Sequence, residues 1–331
     1  MGVGGTADEE ANRWMLRRAA MENGEDGCRS PSPEVGYYGA TCPDADAIVR
    51  QVMERRFYND NTIAPAIIRM LFHDCFVQGC DASLLIVPTP TRPSPERVAI
   101  PNQTLRALNI VNAVKSALEA ACPGVVSCAD ALALMARDSF ALLGGTAYDV
   151  ALGRRDALHS NSWEDDLPAP FSSLDDTLRH FAAKGFTADE TVLLFGAHTV
   201  GAAHCSSFRY RLARPDDGTM DESLRCDMVG VCGLADQPAA ADYAMTFLDP
   251  VTPFAVDNAY YAQLMSNRSL LQVDQEAATH AATAGYVAYY AANPDAFLQR
   301  FSEVMAKLGT VGVLEGDAGE VRTVCTKYNT S

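Results

Sequence analysis

The sequence contains no uncharged apolar run approaching the roughly 18 residues that a membrane helix needs, so no membrane span is expected. Basic residues are in deficit: 26 Lys plus Arg stand against 42 Asp plus Glu, a formal charge of −16. That balance argues against nucleic acid and against an anionic membrane surface as partners. Alternating apolar and polar positions are scarce, so little reads as strand, and there is no internal repeat and no linker long enough to separate two domains. A signal-peptide core is also missing from residues 1–33, where Trp14, Met15 and Leu16 run straight into Arg17 and Arg18. Residues 1–34 are therefore expected to form a disordered tail, with one domain over 35–331.

What is present is a globular composition, 48% hydrophobic and 21% charged, which excludes a disordered or low-complexity chain. A chain of 331 residues can bury a core without staples, so its ten cysteines carry information and point to an oxidising compartment. Helical spacing starts after Pro43, where Asp44 can cap a segment with Ile48, Val49, Val52 and Met53 on one face. It recurs over Ile63–Phe76, Leu105–Ala121, Ser127–Leu142, Ser173–Ala183, Asp189–His198, Cys205–Ala213, Ala259–Leu264, Gly285–Ala291 and Pro294–Lys307. Pro88, Pro90, Pro93 and Pro95 impose a loop, and about Arg214 to Thr252 reads as irregular. The expected fold class is all-α, one domain with two lobes.

Within Ile67–Phe76, Arg69, Phe72 and His73 fall on one helix face. Apolar flanks place this cation and imidazole on a buried helix, where they must serve a ligand or find partners. Next, Asp74, Asp81 and Ser83 with the carbonyls of Val77 and Gly79 form a hard-oxygen set suited to calcium, although Asp-x-Ser after glycine is by itself more often a turn. A second focus is Phe195-Gly196-Ala197-His198-Thr199-Val200-Gly201, after the capping-box pattern Thr187-x-x-Glu190. Its glycines allow a planar group close to the backbone, or simply end a helix. His159, His180 and His280 read as ordinary surface or core residues, and His204-Cys205 lacks the second thiolate pair of a zinc site.

The chain resembles the secretory plant haem peroxidases, the class III branch, from Tyr37 to about Cys325. The resemblance rests on Tyr38-x-x-x-Cys42-Pro43, Arg69-x-x-Phe72-His73-Asp74-Cys75-Phe76-Val77-x-Gly79-Cys80-Asp81-Ala82-Ser83, Pro101-Asn102 and Ala121-Cys122-Pro123-x-Val125-Val126-Ser127-Cys128-Ala129-Asp130. It continues through Leu152-Gly153-Arg154-Arg155-Asp156, Leu167-Pro168-Ala169-Pro170, Gly196-Ala197-His198-Thr199, Asp257-Asn258-x-Tyr260-Tyr261 and Asp274-Gln275-Glu276.

That resemblance implies haem b between a distal and a proximal lobe. His198 is then the proximal ligand, made more electron-donating by Asp274. Arg69, Phe72 and His73 form the distal pocket, with Asn102 orienting His73. It implies two calcium ions, a distal one on Asp74, Val77, Gly79, Asp81, Ser83 and Glu96, and a proximal one on Thr199, Asp249, Thr252, Ala255 and Asp257. Asp130 and Arg154 match a buried ion pair, and Pro168 lines the haem edge where a reducing substrate docks. The implied disulfides are Cys42–Cys122, Cys75–Cys80, Cys128–Cys325 and Cys205–Cys232, leaving Cys28 and Cys226 either free or paired with each other. Leu248, Ala202, Thr62 and Ala66 depart from residues common in the family near the proximal histidine and the haem propionates.

The expected activity is reduction of hydrogen peroxide with one-electron oxidation of small phenols, by a secreted monomer. Two other classes are weighed: a non-catalytic extracellular wall or matrix protein on the same scaffold, and an intracellular ascorbate-type relative. The intact Arg69, His73, Asn102, His198 and Asp274 disfavour the first. The cysteine framework and Phe72, where that branch carries tryptophan, disfavour the second.

Overall fold

The computed structural model describes residues 32–164, 166–213, 218–234 and 244–329. Most of the expected tail, including Cys28, lies outside them. The boundary of the tail shifts slightly: Glu34 exchanges two backbone hydrogen bonds with Leu152, at 2.8 and 2.9 Å, so the chain is already part of the domain there.

Twelve α-helices occur among the described residues: α1 (Ala45–Asn59), α2 (Ile63–Val77), α3 (Leu108–Ala121), α4 (Cys128–Leu142), α5 (Leu174–Ala183), α6 (Ala188–Phe195), α7 (Arg209–Leu212), α8 (Glu222–Cys232), α9 (Ala259–Met265), α10 (Gln272–Ala277), α11 (Ala284–Ala292) and α12 (Pro294–Leu308). The one sheet has two short antiparallel strands, β1 (Ala202–His204) and β2 (Met245–Phe247), with Ala203 opposite Thr246. The fold is all-α. One lobe packs α1 to α4 together; the other joins α6 to α12 and α9 to α11.

Burial explains which helices are central. Thirteen of the 15 residues of α4 are buried, from Cys128 through Phe140, so this helix is covered on every side and α1, α2 and α3 pack around it. Its start is fixed by Ser127, whose side chain accepts from the Asp130 N–H at 3.0 Å. Asp130 and Arg154, both fully buried, pair at 2.8 Å, and Tyr38 Oη and the Gly153 N–H also donate to Asp130. A charge buried this deeply needs every one of these partners.

Several boundaries differ from the sequence reading. Asp44 makes no side-chain cap; only its carbonyl enters α1, accepting from Ile48. The third helix starts at Leu108 and not at Leu105, because Ala107 sits in the left-handed region at φ 70°. The segment 205–213 divides into a 3₁₀ turn and the four-residue α7. Helix α8 lies in a region read as irregular. It buries only Leu224 and Cys232, too few to mark a period, and is held by its Asp221 cap and the Cys205–Cys232 disulfide. Parts of that region, 214–217 and 235–243, lie outside the described residues.

Among the described residues there are four disulfides: Cys42–Cys122, Cys75–Cys80, Cys128–Cys325 and Cys205–Cys232. The bonded state of Cys205 disposes of zinc at His204-Cys205. Cys226 is an exposed free thiol beside Glu222.

Candidate active site

Helix α2 presents Ala66, Arg69 and His73 along one stripe, as helical spacing requires, with Thr62 at its N-cap. His73 is buried, and its Nδ1 lies 2.6 Å from Asn102 Oδ1. Asn102 is itself buried, and its amide donates to the Glu96 carbonyl at 2.9 Å. An amide oxygen can only accept, so His73 Nδ1 carries the proton and Nε2 is left bare. Burial first, then the Arg69 charge, lowers the His73 pKa to about 3, against the upward pull of Asn102. The ring is neutral at ordinary pH.

Arg69 is exposed yet surrounded by protein, and the loss of surrounding water lowers its pKa to about 10. It donates to Thr104 Oγ1 at 3.0 Å and to the Pro101 carbonyl at 3.1 Å, so the 3₁₀ segment that carries Asn102 also aims the guanidinium. Thr104 was not singled out by the sequence reading; its place two residues after Asn102 is the only signal. Phe72 is half-buried, 4.9 Å from Phe76 and 6.0 Å from Phe181 between ring centres.

His198 stands in a 3₁₀ turn, Gly196–Thr199, immediately after α6. Asp274, buried at the first turn of α10, meets its Nδ1 at 2.9 and 3.1 Å. Burial presses the His198 pKa down, but the charge and hydrogen bond of Asp274 outweigh it and the net shift is upward. The rings of Phe72, Phe181 and Phe195 link the two imidazoles, with centre separations of 6.0 Å from His73 to Phe72, 6.0 Å to Phe181, 5.9 Å to Phe195 and 6.5 Å to His198. Gly196 has a different use from the expected one. A Cβ there would lie 2.5 Å from Tyr261 Oη and 2.6 Å from Phe297, so this glycine admits core aromatics, not a planar ligand.

Two oxygen clusters flank the centre. Asp74 is buried, with burial first and Asp81 second raising its pKa; burial also raises that of Asp81. Ser83 Oγ donates to Glu96 at 2.8 Å, and Glu96 holds Asn102 through its carbonyl. The Val77 carbonyl accepts from Lys184 Nζ at 2.5 Å. Gly79 has φ 149°, and a Cβ there would meet the Gly312 carbonyl at 2.2 Å. On the other side Thr252 Oγ1 reaches Asp257 at 3.0 Å and Asp249 at 3.4 Å, and Thr199 Oγ1 reaches Asp257 at 3.4 Å. Burial raises the Asp249 pKa, and Asp257 adds to it. Ala255 joins this turn through its N–H to the Thr252 carbonyl.

Pro168 lies half-buried in the irregular segment before α5. His159, His180 and His280 face Gln78, Asp166 and Asp175.

A family model described as "Peroxidase" matches residues 49–293, which span both histidines and Asp274. The chain belongs to the peroxidase family. This peroxidase is 44% identical over 295 residues to Peroxidase 44 of Arabidopsis thaliana, covering 89% of this chain and 92% of that one. It is 41% identical over 300 residues to Peroxidase 28 of the same plant, with coverages of 88% and 92%. Against Peroxidase 2 of Zea mays the figures are 42% over 302 residues and 89% of each chain. It is a plant class III haem peroxidase. Tyr260 is the site neighbour the sequence reading did not use: its ring centre is 6.1 Å from that of His198, and the only hint was its place in Asp257-Asn258-x-Tyr260-Tyr261.

Proposed function

We propose that this peroxidase oxidises small phenols with hydrogen peroxide outside the cell, with His198 as haem ligand, His73 as the proton carrier and two calcium ions bracing the two sides. The observation that carries this reading is a neutral His73, fixed by Asn102 beside Arg69, in the same domain as a His198 tied to Asp274. The fit to haem b is chemical: one imidazole has its Nδ1 engaged by a carboxylate and Nε2 free, and a cation and a second imidazole stand opposite. Around the start of α2 a cavity of about 240 Å³ is bounded by Arg56, Thr62, Ala66 and Arg106. Arg106 donates to the Thr62 carbonyl at 3.3 Å, which sets positive charge where residues 62 and 66 lack it.

Haem held by His198 would supply the two electrons needed to cleave the peroxide bond. The protein manages the protons. The bare Nε2 of His73 takes a proton from one peroxide oxygen and returns it to the other, which departs as water. Arg69 donates toward the charge that grows on the departing oxygen. Asp274 holds His198 in one tautomer and orientation.

The two carboxylate pairs support calcium: each cluster brings two acids together with hydroxyl or carbonyl oxygens, a hard donor set. The distal set is Asp74, Val77, Gly79, Asp81 and Ser83, with Glu96 behind Ser83, and a calcium ion there would displace Lys184 from Val77. The proximal set is Thr199, Asp249, Thr252, Ala255 and Asp257. Four disulfides support an extracellular site of action, and Pro168 is assigned to the donor-docking edge. The deciding measurement is the absorption spectrum of haem-loaded protein before and after one equivalent of peroxide, followed by a small phenol. A spectral change that the phenol reverses is expected; indifference to peroxide would sink the reading.

A further inference from the structure

An unbroken file of tyrosine rings runs from the proximal histidine to the surface. Ring centres step from His198 to Tyr260 at 6.1 Å, to Tyr261 at 5.1 Å, to Tyr290 at 5.6 Å and to Tyr289 at 5.3 Å. The first three tyrosines are buried, whereas Tyr289 is 51% exposed. Tyr286, three residues earlier on α11 and 41% exposed, shares its face.

We propose that Tyr289 is a second oxidation site, reached by electron transfer along this file, for phenolic polymers too large to enter the cleft. The inference rests on haem being held at His198. The order of the rings matters because a phenol that loses an electron becomes strongly acidic and settles only where its proton has somewhere to go. Tyr261 donates to the Val192 carbonyl, which cannot take a proton, so this ring passes electrons without keeping the vacancy. Tyr290 donates to Asp189 Oδ1 at 2.7 Å, a carboxylate that can accept one. Tyr289 gives its proton to water. The branch from Tyr290 toward Phe297 passes through three phenylalanines, Phe297, Phe301 and Phe140, before it meets Tyr148, and phenylalanines are much harder to oxidise.

The balance closes. Each electron drawn by the peroxide-oxidised site leaves the Tyr289 ring, and its phenolic proton passes to solvent. A phenol unit of the polymer then restores one electron and one proton to Tyr289 and becomes a phenoxyl radical. Two such cycles deliver the two electrons and two protons that turn hydrogen peroxide into two waters.

The test uses haem-loaded protein, peroxide and a nitroso spin trap, with adducts located by peptide mass spectrometry. An adduct on Tyr289 is expected, and none on Tyr58, which is 91% exposed and stands outside the ring file. In Tyr290→Phe the Tyr289 adduct should fall by about tenfold, and in both Tyr290→Phe and the surface variant Tyr289→Phe the ratio of polymer to small-phenol turnover should fall by about fivefold or more. Labelling of Tyr58 as strong as that of Tyr289, or a Tyr289 adduct that survives Tyr290→Phe, overturns the proposal. Absorption is recorded on the same samples: no response to peroxide refutes haem at His198 and this proposal with it, whereas a response without the adduct refutes the tyrosine route alone.

Discussion

His73 and His198 carry the same side chain, and their neighbours push them in opposite directions. Burial and the nearby Arg69 guanidinium lower the proton affinity of His73 against the pull of the Asn102 oxygen at its Nδ1; His198 has a carboxylate at Nδ1, so its affinity rises despite burial. The first suits a base that must start empty, the second a donor that must stay electron-rich. Replacing His73 with Ala is expected to slow the reaction with peroxide by about 10²–10⁴-fold, since proton transfer is lost while His198 is untouched. Rapid mixing followed by absorption gives the rate, and the resting spectrum shows whether haem is retained. A parental rate in a haem-loaded variant would remove His73 from the mechanism. The residue types and their one-face spacing on α2 were readable beforehand. The partner at Thr104 was not, because the contact joins two segments that only folding brings together.

Among the elements, α6 positions His198 and is braced at its start. Thr187 and Glu190 form the reciprocal cap that their spacing indicates, and Glu190 also meets Lys307 of α12 at 2.7 Å. Burial pushes the Glu190 pKa up, but Lys307 and the Thr187 N–H outweigh it, and the net shift is downward. The sign follows: this contribution to stability is complete above the ordinary carboxylate pKa of about 4.3 and is lost as pH falls through the lower folded value. Glu190→Ala is expected to destabilise the protein by about 0.5–2 kcal/mol at neutral pH. Denaturant titrations should show that gap closing as pH falls below the ordinary carboxylate range; a gap that stays constant with pH would rule out an ionised Glu190 as its source. The helices that sequence reading recovered are those that bury a regular stripe. Helix α10 escaped because six residues are too few to show a period, although it carries Asp274.

At the scale of the molecule, four disulfides cross-link the described residues and two oxygen clusters draw further segments together. If the oxygen clusters hold calcium, chelation should change the haem spectrum, because Thr199 is both a member of the proximal cluster and the residue after His198. An unchanged spectrum in protein shown by metal analysis to be calcium-free would refute the coupling. Of ten cysteines, eight are in disulfides, so denatured and unreduced protein should show two free thiols. None would mean that Cys28 and Cys226 pair, within the chain or between chains. By itself the sequence determined the helical class, the loop at the prolines, the cap at Thr187 and the one-face placement of Arg69 and His73 on a buried helix, because these depend on local spacing and on what a buried charge requires. Only the tertiary structure decided which carboxylate meets which imidazole, that Gly196 makes room for Tyr261 and Phe297, and that tyrosines 260, 261, 289 and 290 form one file. Those facts depend on how separate helices pack, and contacts across long stretches of chain leave no periodic trace in the segments that make them.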